Sequence, residues 1–220
     1  MTDVTDQINS VRRVVGSRTL ESGAARVTMI SQSYNSAIDD VWDACTNAER
    51  IPRWFLPVTG ELRVGGRYQL EGNAGGTVQT CNPPESFTAT WEYGGDTSWI
   101  ELRLVSEGAE RTRFELEHIA HVDDERWTQC GPGAVGIGWE LSVRGLAMHL
   151  ASGAAVDPAA FEQWSMSPEG IEFITASGVG WSDDADIASG TDPEHARTVG
   201  NRTIAFYTGA ENDQEVSETR

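Results

Sequence analysis

The sequence contains no lysine: all sixteen basic residues are arginines, set against 34 acidic ones, for a formal net charge of -18. That absence excludes Schiff-base chemistry, which needs a lysine amine, and removes the side chain with which a phosphate loop reaches terminal phosphates. The surplus of carboxylates sets up a field that repels nucleic-acid backbones and anionic lipid heads, so neither nucleic acid nor a membrane surface is an expected partner. Cysteine is scarce. Cys45, Cys81 and Cys130 lie far apart without C-x-x-C spacing, which argues against a disulfide framework or a zinc site and fits a reduced compartment. No long apolar run of about eighteen residues occurs, and the opening MTDVTDQINSVRR lacks the apolar core of a signal peptide. The expected location is the cytoplasm. No cofactor motif and no ligand cluster of the H-E-x-x-H kind is present, so no cofactor and no metal are expected.

Glycine, by contrast, is plentiful in ELRVGGRYQLEGNAGGTVQ, residues 61 to 79. A nucleotide loop would open directly into a helix, but RYQLE and TVQTC alternate apolar and polar residues with the period of strands. The glycines therefore read as hairpin corners that supply positive φ.

Composition, with 39% hydrophobic residues and eight tryptophans, is that of a folded globule. Residues 1 to 9 are polar and read as frayed, after which VRRVV and ARVTMISQSY are strand-like. In NSAIDDVWDACTNAERIPRWF the period changes: Asn35 or Ser36 can cap a helix with Ile38, Val41, Trp42 and Cys45 on one face. Thr46 or Asn47 can cap a second short turn ending before Pro52. From Gly60 to about Val122 strands follow one another. Phe87, Ala89, Trp91 and Tyr93 share a face; so do Ile100, Leu102 and Leu104, and so do Phe114, Leu116, His118, Ala120 and Val122. Such alternation marks an antiparallel sheet with one wet and one covered face.

The segment GPGAVGIGWELSVRGLAMHLASG, 131 to 153, supplies the cover. It reads as a helix with Val135, Trp139, Val143 or Ser142, Leu146 and Leu150 in one stripe, apolar nearly all round, and Gly138, Gly145 and Ala147 permit close approach. Beyond it, Ser167-Pro168 and Asp192-Pro193 each place a capping side chain before proline at the first helical position, and the tail from Glu211 reads as disordered.

This order of elements resembles the helix-grip fold of the START-like, or SRPBCC, superfamily, and more narrowly its heat-shock-protein-90 ATPase activator branch. The resemblance rests on VWDACTNAERIPRWF (Val41, Trp42, Pro52, Trp54), Gly65-Gly66 before a strand, FTATWEY with Trp91, FELEH with His118, and GIGWELSVRGLAMHL with Gly138, Trp139, Leu146 and Leu150. It implies an α+β fold in which a curved antiparallel sheet wraps around a long helix, with a helical C-terminal extension. The implied organisation is an N-terminal segment over 1–24, a ligand-binding domain over 25–152, an extension over 153–210 and a tail over 211–220. Members of the superfamily use the space between sheet and helix for lipids, polyketides, plant phenolics or aromatic substrates, and fold does not fix which. Eukaryotic activators carry an additional chaperone-contacting domain that residues 1–24 are too short to supply.

The expected ligand is thus a small hydrophobic molecule, aromatic or polyketide- or lipid-like. The expected lining residues are Trp54, Tyr68, Leu70, Trp91, His118, Trp127, Trp139 and Leu146. His118 is the one histidine that alternation places among apolar side chains, where burial would keep it neutral. It reads first as a core histidine, then as a ligand-orienting group, and least as a general base. His121, His149 and His195 read as surface or packing residues, and no catalytic constellation is recognisable. A cyclase, dehydratase or hydrolase using the same cavity and a chaperone cofactor acting through its acidic surface are the alternatives. An exposed sheet edge could support a homodimer.

Overall fold

The computed structural model describes residues 4–21, 23–121 and 124–210. The expectations for the first three residues, for Val122 and for the tail from Glu211 fall outside them. Eight strands form one antiparallel sheet: β1 (Val11–Leu20), β2 (Gly23–Tyr34), β3 (Val58–Gly60), β4 (Arg67–Leu70), β5 (Gly75–Asn82), β6 (Ser86–Tyr93), β7 (Asp96–Gly108) and β8 (Arg111–Ala120). Their order is β1-β2-β8-β7-β6-β5-β4-β3, so β1 and β3 are the edges. Between β2 and β3 run α2 (Ile38–Thr46) and a single 3-10 turn, Ile51–Arg53. The fold is the expected α+β one, with the sheet taking in β1 as well as the strands from β2 onward.

Alternation fixes the register. Leu102 pairs with Leu116 and Leu104 with Phe114, and these side chains are buried on the inner face, each contributing about 1.5–3 kcal/mol by leaving water. Tyr93, at the end of β6, is 61% exposed, so the covered face stops short of it. Of the clustered glycines, Gly72 has φ 67° and makes the expected corner. Gly76 serves differently: a Cβ there would lie 2.0 Å from the carbonyl oxygen of Thr90, so it permits close strand approach.

The covering helix is α4 (Gly133–Ser152), ending where Gly153 turns left-handed at φ 67° and donates its N–H to His149 at 2.8 Å. Val143 and Leu146 face inward as expected, whereas Val135 is 37% exposed and points out of the stripe. Close approach is real at Gly145, where a Cβ would stand 2.6 Å from the Trp54 carbonyl oxygen, and at Gly138, which faces the Tyr207 hydroxyl.

The sequence pattern departs from the structure at several local points. The N-terminal residues form α1 (Val4–Ser10), with Val4 and Gln7 buried against the body. The cap of α2 is Ala37, without a side-chain bond, because Ser36 donates its hydroxyl to Asp40 instead. The 3-10 turn includes Pro52 rather than stopping before it, since proline is tolerated in a first turn. A short α3 (Asp124–Cys130) precedes α4. After α4 come α5 (Pro158–Ser165), α6 (Pro168–Val179), a π-helical turn (Gly180–Asp186) and α7 (Pro193–Thr208). Ser167 and Asp192 cap α6 and α7 as anticipated, and Asp157 caps α5 in the same way.

A buried ion pair ties β1 to this helical layer. Arg13 Nε donates to Glu140 Oε2 at 2.9 Å, a terminal nitrogen donates to Oε1, and Ser177 Oγ donates to Oε2 at 2.8 Å. Among the described residues no helix is long and apolar enough to cross a membrane.

Candidate functional site: an aromatic cavity under the long helix

A cavity of about 140 Å³ lies between α2, the 3-10 turn, the inner face of the sheet and Trp139 of α4. Of the residues selected from sequence, Trp54, Tyr68, Leu70, Trp91 and Trp139 line it. The space is smaller than the roughly 300–1,000 Å³ of a drug-sized site, because rings project into it. Trp54, Phe55 and Trp139 form a column: Trp54 and Phe55 have centroids 5.4 Å apart at 27°, and Phe55 and Trp139 6.1 Å apart at 24°. Trp91 leans on Trp139 at 5.0 Å and 57°. Aliphatic side chains of β7 and β8, Leu102 and Leu116 among them, close the floor.

The wall turns its polar groups away from the space. Tyr68 donates its hydroxyl to the Thr90 carbonyl at 2.7 Å, Trp54 Nε1 donates to the Ala44 carbonyl at 2.9 Å, and Thr46 Oγ1 donates to the Trp42 carbonyl at 2.7 Å. Burial raises the Tyr68 phenol above its ordinary value, with the Glu92 carboxylate adding to the shift. The buried Cys45 thiol also lines the cavity, and burial pushes it up to about 12, so it is not a thiolate. Cys81, which is exposed, stands where the lining meets solvent.

His118 is buried but does not line the cavity; it lies behind Trp139. Trp139 Nε1 can only donate, and it does so to His118 Nδ1 at 3.1 Å. The imidazole proton is thereby placed on Nε2, which donates to Ser98 Oγ at 2.9 Å, and Ser98 donates onward to the Trp91 carbonyl at 3.0 Å. Burial pushes His118 down to about 4, so it is neutral near pH 7. This is the core-histidine reading, with both nitrogens used by the protein.

Two other selected residues also lie apart from the lining. Trp127 sits on α3 with the Arg26 guanidinium 5.1 Å over its ring, and Leu146 is fully buried in α4. His149 is a buried packing residue: Nδ1 donates to the Ala154 carbonyl at 2.7 Å and Nε2 accepts from Arg50 at 3.2 Å. His121 donates from Nδ1 to the Ala24 carbonyl at 2.8 Å. Among the described residues no group of three or more His, Cys, Asp or Glu side chains could hold a metal ion.

Sequence reasoning missed Phe55, Phe87, Cys45 and Cys81 as lining residues. Phe87 was recoverable, since alternation sets it on the same face as Trp91. Phe55 follows Trp54 in a non-periodic turn, where no pattern shows which side chain faces in.

The family model for the Activator of Hsp90 ATPase homolog 1-like protein matches residues 35–151, more than half of the chain. The chain belongs to this family. Among solved structures, CalU16 from Micromonospora echinospora is similar at 36% identity and TM-score 0.63, over 78% of this chain and 95% of that one. That share exceeds residues 35–151, so the likeness takes in elements outside the family segment. At 19% identity, DynU16, from the dynemicin biosynthetic locus, shares the fold with TM-score 0.53 over 59% of this chain and 48% of its own. PFC0360w, an HSP90 activator from Plasmodium falciparum, also at 19% identity, does so with TM-score 0.50 over 57% of this chain and 96% of its own. A search of curated proteins returned no match. Within the family, then, this chain has an aromatic cavity under α4 whose nearest histidine is sealed behind a tryptophan.

Proposed function

We propose that this protein binds a small, flat, apolar molecule in the cavity under α4, in the cytoplasm, without transforming it. The observation that carries the reading is the near-parallel column of Trp54, Phe55 and Trp139 beside an apolar space whose flanking hydroxyl and indole groups are turned into the protein. Faces of that kind favour stacking on an aromatic ligand. At about 140 Å³ the space matches the scale, about 150 Å³, at which an apolar protein cavity takes up benzene. The favoured ligand portion is one ring or a fused pair. A long acyl chain or a many-ringed polyketide would need the wall to open.

The cyclase, dehydratase and hydrolase readings relied on His118, which spends both nitrogens on Ser98 and Trp139. The chaperone-cofactor reading draws only on the family description and on a fold shared at 19% identity.

Tryptophan fluorescence and melting temperature, followed through titrations with benzene, indole, naphthalene and dodecanoate, test the proposal. Saturable quenching by the ring compounds is expected, with a weaker response to dodecanoate. Ala89, buried at the cavity wall, should lose ring binding at least tenfold as Ala89→Leu while staying folded. Equal ring binding by Ala89→Leu would sink the assignment.

A further inference from the structure

The one arginine of α4 contrasts with the paired Arg13 of β1. Arg144 is 4% exposed, follows the ion-paired Glu140 by one helical turn, and makes no hydrogen bond or ion pair among the described residues. Its guanidinium lies 4.0 Å over the ring of Trp164 on α5 and 5.8 Å from the ring of Phe173 on α6. Arg13 shows how this protein satisfies a structural buried arginine: Nε and one terminal nitrogen donate to a carboxylate, that terminal nitrogen also donates to the Ile8 carbonyl, and the other donates to the Val11 carbonyl. Arg144 has neither. Among the described residues, the buried side-chain nitrogens and oxygens without a partner are Arg144 Nε, Trp164 Nε1 and Trp181 Nε1, and the first two belong to side chains in contact.

We propose that Arg144 anchors a carboxylate-bearing ligand at the junction of α4, α5 and α6, a site separate from the apolar cavity. A guanidinium stays charged at any ordinary pH and is costly to bury unpaired. Stacking on Trp164 offsets part of that cost and leaves the in-plane N–H edge for an acceptor. A planar carboxylate fits that edge through two parallel bonds. Nε is sealed and the terminal nitrogens are not, so an anion approaches from the outer end of the side chain. Glu169, the carboxylate that acts on Arg144 electrostatically, makes no hydrogen bond to it.

Proton–nitrogen NMR of the wild-type chain, titrated with sodium acetate or benzoate against sodium chloride at fixed ionic strength, tests this directly. Saturable shifts of the Arg144 Nε–H and Trp164 Nε1–H resonances are expected with the carboxylates and not with chloride. Arg144→Met should weaken acetate and benzoate binding at this site at least tenfold while indole still quenches tryptophan fluorescence. Arg144→Lys, which keeps the charge without the fork, should bind less tightly than wild type. The proposal is overturned if chloride shifts the same resonances equally, if phosphate binds more tightly than acetate, or if Arg144→Met retains carboxylate binding there. It is also overturned if acetate and benzoate leave the wild-type Arg144 resonance unmoved and titrate it only in Glu169→Gln, since Glu169 would then be the occupant.

Discussion

Trp139 Nε1 donates to His118 Nδ1 at 3.1 Å, so the ring that walls the cavity is held by the histidine that sequence pattern places inside it. His118 therefore shapes the site from behind. Replacing it with alanine opens a void and leaves the Trp139 N–H without its acceptor. A buried unpartnered donor costs about 1–3 kcal/mol, and deletion of a core side chain costs about 2–5 kcal/mol. His118→Ala should lose about 3 kcal/mol in urea denaturation. A loss under about 1 kcal/mol would show that the bond does not hold in solution.

The same residue gives the protein a pH window. Its folded pKa of about 4 lies below the ordinary 6.5, so between those values the unfolded chain binds a proton that the folded chain does not. Stability from this source is complete above about pH 6.5, falls as pH drops toward 4, and changes no further below that. The shift corresponds to about 3 kcal/mol at most, at about 1.4 kcal/mol per unit. Denaturation measured from pH 7 to pH 4 should show this slope in wild type and a shallower one in His118→Gln. The carboxylates titrate in both proteins, so the difference between the two isolates the histidine. Parallel curves would refute the assignment.

The sheet and the covering helix are legible in the sequence because one physical rule governs each: period-two burial in β7 and β8, and a long apolar segment between Pro132 and Gly153. The inward faces of Phe114, Leu116 and His118 follow from that rule alone. What escapes it is charge at buried helical positions. Glu140, Arg144 and His149 are all buried on α4, and their partners come from β1, α6, α5 and the Arg50 segment, which the helix's own sequence does not report. No local pattern reports a partner more than a hundred residues away, such as Arg13 for Glu140. The cavity is half legible for the same reason: strand residues such as Tyr68 and Trp91 follow from alternation, whereas Phe55 and Cys81 depend on where a turn and a strand end come to rest.

The Arg13–Glu140 pair should respond asymmetrically to mutation. Removing one member of a buried pair strands the other and costs about 3–5 kcal/mol, while removing both in favour of apolar groups is often neutral. Glu140→Leu should therefore destabilise strongly, because Arg13 keeps only the carbonyls of Val11 and Ile8. The double variant Arg13→Met with Glu140→Leu should recover most of that loss. Denaturant midpoints for the two single variants, the double and wild type give the coupling directly. Additive losses would mean that the contact contributes nothing specific.

The three thiols offer a chemical readout of the cavity without any substitution. Cys81 and Cys130 are exposed, whereas Cys45 is buried and pushed up to about 12. Only the thiolate attacks a disulfide reagent, so at pH 8 a native titration should release two equivalents promptly and the third only on unfolding. Cys81 lines the cavity where it meets solvent, and Cys130 does not line it. A ring compound occupying the cavity should therefore slow labelling of Cys81 severalfold and leave Cys130 unchanged, as peptide mass analysis of the labelled protein would show. Equal slowing at both positions would point to a global change in the fold, and slowing at neither would place the bound ring away from the aromatic column.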